Sequence, residues 1–266
     1  MSQTIIPILI AVLIWWASTG ILILLVGRGQ RARQVVAGIL TIATIISTGI
    51  ILGLKNEISI PAAYAGFAVG IALWAWQESL FLFGFVTGPR REQAPPGLVG
   101  WRRFTVSAQT VMHHELLIAA HAVLIVGLSL GAANQMAAAT FVLLWGMRLS
   151  TKMLIFLGAP NASDTFLPEH LKYLSSYFNR TRVTPYYPIF IALTGGVTAA
   201  LFYFGFSSPQ GSFEATCYLL LGTLSFLAVF EHLALIIPLQ DERLWTWAIR
   251  KRPDANPKAQ ADQNQS

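Results

Sequence analysis

A single cysteine, Cys217, stands in this chain of 266 residues. One thiol makes no intrachain disulfide and no thiolate metal cluster, so neither a disulfide scaffold nor a zinc-ribbon fold is available. Charge is the second scarcity. Asp, Glu, Lys and Arg together make up 11% of the chain, against about 25% in an ordinary soluble domain. That poverty excludes a water-exposed surface of normal composition. Also missing are a nucleotide-binding glycine motif, a nucleophile–base constellation, an internal repeat and any run that interleaves basic and aromatic residues on a polar surface. The formal charge of +6 is therefore not read as a nucleic-acid footprint. The first residues, MSQTIIPILI, carry no basic segment ahead of the apolar run, so the first hydrophobic stretch is read as a retained span and not a cleaved signal.

What the chain has in abundance is apolar length. Seven stretches of about 20 residues or more run over 4–27, 35–54, 61–87, 105–131, 137–157, 186–207 and 215–239, each long enough to cross a bilayer as a helix. They are continuously apolar and lack period-two alternation, which excludes a barrel. The predicted fold is all-α, one bundle of seven transmembrane helices over 1–249 and a polar, disordered tail over 250–266. Of the eighteen basic residues, all but Lys55 fall on one alternating set of loops, or on the approach to one. The positive-inside rule places that set in the cytoplasm, with the N-terminus periplasmic and the C-terminus cytoplasmic. Trp101 and Trp245 stand near the predicted cytoplasmic boundaries, where amphipathic rings favour the interface. Within the fifth loop, TFLPEHLKYLSSYFNR places Leu167, Leu171, Leu174 and Phe178 at helical spacing. This predicts a short amphipathic helix over 168–179 lying along the cytoplasmic face.

Against this background the run VMHHELLIAAH, residues 111–121, stands out because it carries three imidazoles and a carboxylate inside a span. Counted from the predicted cytoplasmic ends, Glu78 lies nine residues deep and His113, His114 and Glu115 eight to ten. Arg148 lies nine deep, and Glu231 and His232 seven to eight. At 1.5 Å per residue these groups share a layer about 10–15 Å inside the membrane. Burying a charged side chain there costs about 2.5–3.5 kcal/mol, so they are expected to face one another across the bundle, with Arg148 paired to a glutamate. Helical phase puts His114 and His121 on one face and turns His113 away from it. A satisfied structural network is one reading of this layer. Ligation is the other: His114, Glu115, His121, Glu231 and His232 are the candidate ligands for a transition metal, bacteriochlorophyll or another tetrapyrrole. The Glu-x-x-His spacing of a di-metal bundle is absent, since Ile118 follows Glu115 and Ala234 follows Glu231 at that offset.

The segments GFVTGPRR, GWRRF, HHE, LWGMRLSTKMLIFLGAPN, LPEHLKYLSSYF and the EH of the last span, in that order and spacing from about Trp15 to Trp247, resemble the PuhE-like photosynthetic complex assembly proteins of purple phototrophic bacteria. The resemblance implies a multi-pass protein of the bacterial inner (intracytoplasmic) membrane, surrounded by lipid and partnered by reaction-centre or light-harvesting subunits. It implies a role in assembly of those complexes and in handling bacteriochlorophyll or pigment-binding helices. It also implies a histidine just before the third-span glutamate, where this chain has Gln77. Two alternatives stand beside it: an intramembrane metal-dependent enzyme acting on a tetrapyrrole or isoprenoid, and an ion-coupled small-molecule transporter using Glu78 and Arg148.

Overall fold

The computed structural model describes residues 2–238 and 244–248. Among them there are only helices and loops: α1 Ser2–Val26, α2 Gln30–Leu54, α3 Ile60–Leu82, α4 Gly100–Ala108, α5 Met112–Ser129, α6 Met136–Leu157, a 3₁₀ segment Glu169–Tyr177, α7 Tyr187–Ser207 and α8 Phe213–Ala234. Seven of these, all but α4 and the 3₁₀ segment, are long and apolar enough to span a membrane. Large apolar side chains such as Leu13, Ile39, Ile42, Ile45, Leu193 and Phe206 stand outward from them. A soluble surface does not sustain so wide an apolar face, whereas lipid does. The tail expected to be disordered, 250–266, lies outside the described residues.

Helix α3 is the hub, packed against α2, α6 and α8. Its small residues let α6 come close: a Cβ on Gly70 would lie 2.6 Å from Thr140 Cβ, and one on Gly66 2.8 Å from Met136 Cβ. This is the small-xxx-small device by which membrane helices gain contact without a hydrophobic driving force. The two helices run parallel, and their tight contact lies in the first halves of both. α3 starts on Ser59, whose side chain accepts from Ala62 N, and α8 on Ser212, which accepts from Ala215 N in the same way.

The loop-rich end departs from the sequence expectation in three places. The third span, expected to reach 87, stops at Leu82. The chain turns at Gly84, whose φ is +81°, and the N–H groups of Phe85 and Val86 return to Leu80 O. The fourth span, expected over 105–131, is two helices. Gly88 runs against Gln109 and Thr110, where an added Cβ would lie 2.0 Å from Gln109 O, and Thr87 O accepts the His114 N–H at 2.8 Å. That carbonyl satisfies one of the amides a helix leaves unpaired in its first turn. His114 and Glu115 therefore open α5 and are not buried deep within a longer helix. The last span, expected to 239, ends at Ala234.

The 168–179 segment forms, but as a 3₁₀ helix. Leu171, Leu174 and Tyr177 recur every three residues, match its three-residue turn and are buried. Leu171 and Leu174 pack on Phe81, with Leu82 and Val111 at the edge. The segment is thus folded onto the helix ends as a lid. Gly158 allows the lid's loop to close. Its backbone bonds with Thr184, and a side chain there would meet Arg182 O at 2.5 Å. Trp101 is exposed as expected, but Trp245 is buried. It packs edge-on against Trp15 and donates from Nε1 to Trp16 O at 3.1 Å, so it is held against α1.

Candidate functional site

The polar layer lies beneath the lid, at the last turns of α3 and α8, the first turn of α5 and the second half of α6. It resolves into neighbouring groups instead of one cluster. In the first, Glu78 stands between His114 and Arg148, with Oε1 3.8 Å from His114 Nε2 and Oε2 3.6 Å from an Arg148 terminal nitrogen. The Glu78 side chain is 9% exposed and Arg148 is 41% exposed. His114 is fully enclosed, stacked at 4.7 Å on Phe81. In the second group, Glu115 accepts from Lys152 Nζ at 2.5 Å and from Trp145 Nε1 at 3.2 Å. Trp145, Arg148 and Lys152 follow an i, i+3, i+7 stripe on α6, which is why one helix face serves both carboxylates.

The third group lies on the other side of α6. Ser150 Oγ is 2.6 Å from His232 Nε2, while His232 Nδ1 is 2.5 Å from Ala228 O. A carbonyl only accepts, so Nδ1 carries the proton and Nε2 is the acceptor facing the serine hydroxyl, whose single proton is shared with Met147 O at 2.8 Å. Tyr187 OH donates to His232 O at 3.0 Å and ties α7 to the same point. His121 lies two turns further along α5 than His114, about 10.5 Å along the helix axis. Its Nδ1 is 2.8 Å from the amide nitrogen of the fully buried Gln77, and Trp76 and Phe141 flank the ring. Gln77 thus supplies a polar partner at the position where the family resemblance implied a histidine. His113 is exposed.

The sequence grouped Glu78, His114, Glu115, Arg148, Glu231 and His232 in one layer. The structure joins Glu78, His114 and Arg148, and adds the charges of Glu115 and Glu231 acting on Arg148. It gives Glu115 to Lys152 and His232 to Ser150. Lys152, Trp145, Ser150 and Tyr187 are missing from that grouping. Only Lys152 had a signal, its i, i+4 relation to Arg148. Among the described residues no three His, Cys, Asp or Glu side chains converge where they could hold a metal ion.

Between α1, α3, α6 and α8 the layer opens onto a cleft of about 380 Å³. Its wall is apolar: Trp15, Leu22 and Ile23 from α1, Ile71 and Trp74 from α3, and Leu143, Leu144 and Met147 from α6. Into this wall are set Glu78, Arg148 and Glu231, with Asn161 and Ser163 above them and Trp245 at one side. None of the candidate histidine ligands is among the lining residues. A cavity of about 150 Å³ holds one benzene, so the cleft takes roughly two and a half such rings. The enclosed part suits a single apolar chain better than a four-pyrrole macrocycle.

At the lid, outside the spans, His170 joins the roof to the bundle. Its Nε2 donates to Leu82 O at 3.1 Å and its Nδ1 accepts from an Arg33 nitrogen at 3.3 Å. Burial, then the nearby Arg33 and Arg91 charges, hold the imidazole below its ordinary pKa, against the opposing pull of the Leu82 carbonyl.

The sequence model of the family described as "Protein of unknown function (DUF3623)" matches residues 1–256. The chain is 31% identical over 249 residues to a Rhodobacter capsulatus protein described as "Uncharacterized 30.4 kDa protein in puhA 5'region". That alignment covers 91% of this chain and 89% of the relative. No solved structure matches.

Proposed function

From the premise that this chain belongs to the DUF3623 family, we propose that it is an integral membrane factor in assembly of the photosynthetic reaction centre and light-harvesting complexes. It acts in the bacterial inner (intracytoplasmic) membrane, with its N-terminus periplasmic and its lid cytoplasmic. The puhA neighbourhood printed for the relative and the seven apolar helices support this reading.

The observation that carries a working part for it is the cleft. An apolar trough among four helices, with a carboxylate–guanidinium pair in its wall, can receive the hydrocarbon part of a pigment or a side-chain ridge of a pigment-binding helix. The macrocycle of bacteriochlorophyll would stay outside. The lid, tied down by Leu171, Leu174 and His170, offers the surface a partner subunit would meet on the basic side of the membrane.

The test is affinity purification of the full chain from phototrophically grown native membranes, with mass spectrometry of what accompanies it and an absorption spectrum of the eluate. Reaction-centre or light-harvesting subunits are expected, and cells deleted for the gene should hold less assembled complex. Normal complex levels in the deletion, together with an eluate free of those subunits, would overturn the assembly role.

A further inference from the structure

Helix α4, Gly100–Ala108, is too short to span a bilayer, and its packing fixes it at the level where the spans stop. The chain runs from it within a few residues into α5, and its inner side rests on the last turn of α6. Phe104 meets the Phe156 ring edge-on at 5.9 Å. The Arg103 guanidinium lies 4.4 Å over the same ring and donates to Tyr177 O at 3.1 Å. Trp101 stacks on Phe104 at 4.9 Å, so it too stands at the end of the α6 span. Yet Val99 is 77% exposed and Trp101 74%, and Arg102 beside them is exposed as well. One arginine of the neighbouring pair ties the helix down, and the other is turned out.

The same combination recurs where α7 begins. Tyr186, the residue ahead of that helix, and Val183 are exposed, with Arg182 exposed beside them. Charge then separates these arginines from their neighbours. Arg90, Arg148, Lys152 and Arg180 each pair with a carboxylate. Among the described residues Arg102 and Arg182 pair with none, and α4 itself contains no acid. An aromatic ring, a branched aliphatic and an unneutralised guanidinium at the end of a span match one setting, with hydrocarbon on one side and phosphate on the other. The headgroup zone is about 5–8 Å deep on each side of the hydrocarbon, enough for one ring and the arginine next to it. Met112 and Leu116, one turn apart at the start of α5, are exposed too, so the apolar surface continues from α4 into the span. A protein partner requires one patch; a lipid leaflet meets every span end, and here two separate elements carry the same residue types.

We propose that α4 is an in-plane anchor that binds anionic phospholipid in the leaflet on the basic side of the membrane. Val99 and Trp101 sit among the glycerol and upper acyl atoms, and Arg102 holds the phosphate. Val183, Tyr186 and Arg182 make a second contact of the same kind. The anchor gives the protein a lipid preference that neither the cleft nor the lid supplies, and it is independent of the assembly reading.

The experiment uses the full chain in phospholipid nanodiscs, with Cys217→Ser removing the native thiol and the fluorophore NBD attached through Val99→Cys. Phosphatidylglycerol or phosphatidylcholine carrying a nitroxide near the top of the acyl chain then quenches it. Phosphatidylglycerol should reach half-quenching at about fivefold lower content than phosphatidylcholine, the factor that one arginine near the surface contributes. Arg102→Gln should bring the two lipids within about twofold, and Arg102→Lys should keep the difference. Arg182→Gln should leave the signal at position 99 unchanged and remove the preference read from a fluorophore attached through Val183→Cys. All these positions are exposed and Arg103 is untouched, so the variants should keep the thermal stability of the parent. Dithionite, which reduces NBD from the water side, should bleach the label at position 99 slowly. Equal quenching by the two lipids, a preference that survives Arg102→Gln, or fast bleaching with no quenching by lipid would each overturn the proposal. A label wetted in nanodiscs but shielded in native membranes would assign this face to a protein partner and overturn it as well.

Discussion

Removing the guanidinium of Arg148 as Arg148→Met leaves an apolar stem of similar reach and an uncompensated carboxylate. Glu78 keeps His114, 3.8 Å away, and the more distant charge of Lys152, and its side chain is 9% exposed. Breaking a buried ion pair from one side costs about 3–5 kcal/mol. Arg148 is 41% exposed and the pair is spaced at 3.6 Å, so water already screens part of the attraction and about 2–3 kcal/mol is the expected loss. Glu78→Gln in the same background removes the stranded charge, and the double variant should recover most of it. A double-mutant cycle on unfolding in mixed micelles or bicelles measures this, with a coupling of at least about 1 kcal/mol expected between the two positions. Membrane abundance should fall in the single variant and return in the double. A cost for Arg148→Met within about 0.5 kcal/mol, the range of an ordinary surface change, would refute the view that this pair is enclosed. So would a double variant no better than the single.

Gly70→Val should be among the most damaging single changes in α3, because the new Cβ would lie 2.6 Å from Thr140 Cβ and 2.9 Å from Ala137 O. A loss at or above the upper end of the usual 1–3 kcal/mol for overpacking is expected, read as lost thermal stability of the purified protein; Gly196→Val, with open space around it, is the control. The lid should loosen in acid. His170 titrates below its ordinary value, so its contribution is complete above the unfolded-state pKa of about 6.5. It is lost as pH falls through the lower, folded value, when Nδ1 gains a proton facing Arg33. Protection factors for hydrogen exchange over 167–178, corrected for the intrinsic pH dependence of exchange, should therefore fall below about pH 6.5, and His170→Gln should flatten that dependence. Ser150→Ala should cost about 1–3 kcal/mol by leaving His232 Nε2 unpartnered in a buried setting, whereas Ser208→Ala, whose hydroxyl makes only a solvent-exposed bond to Phe204 O, should cost little.

Helix number and the location of most spans were legible because continuous apolar runs and the side bias of Arg and Lys are strong, additive signals. The alternating basic loops also marked the end of the bundle where the lid and the polar groups lie. What failed to show was backbone traffic at that end. The break at 109–111 depends on Thr87 and Gly88 approaching from twenty residues upstream, and no local feature of the apolar pattern announces such a docking. The early stop of α3 rests on the turn at Gly84, hidden within the apolar run GFVTG.

The candidate site was half legible for the same reason. Charged groups in spans are costly enough to signal that they meet, and Glu78 does meet Arg148 and His114. Which carboxylate each cation takes depends on helix rotation and on the register of α5, which starts later than the hydropathy implies. That shift turned Glu115 to Lys152. Trp245 illustrates the converse: an aromatic near a boundary reads as interfacial until a groove against α1 is there to receive it.

The central claim is that Glu78 and Arg148 face each other in the wall of an open cleft among α1, α3, α6 and α8. A density map of the full chain in lipid nanodiscs tests it most directly. The expected result is a carboxylate and a guanidinium spaced as here, near 3.6 Å, beside a trough holding elongated, chain-like density. A map in which these two side chains turn away from each other toward lipid, or in which the four helices close the trough, would contradict it.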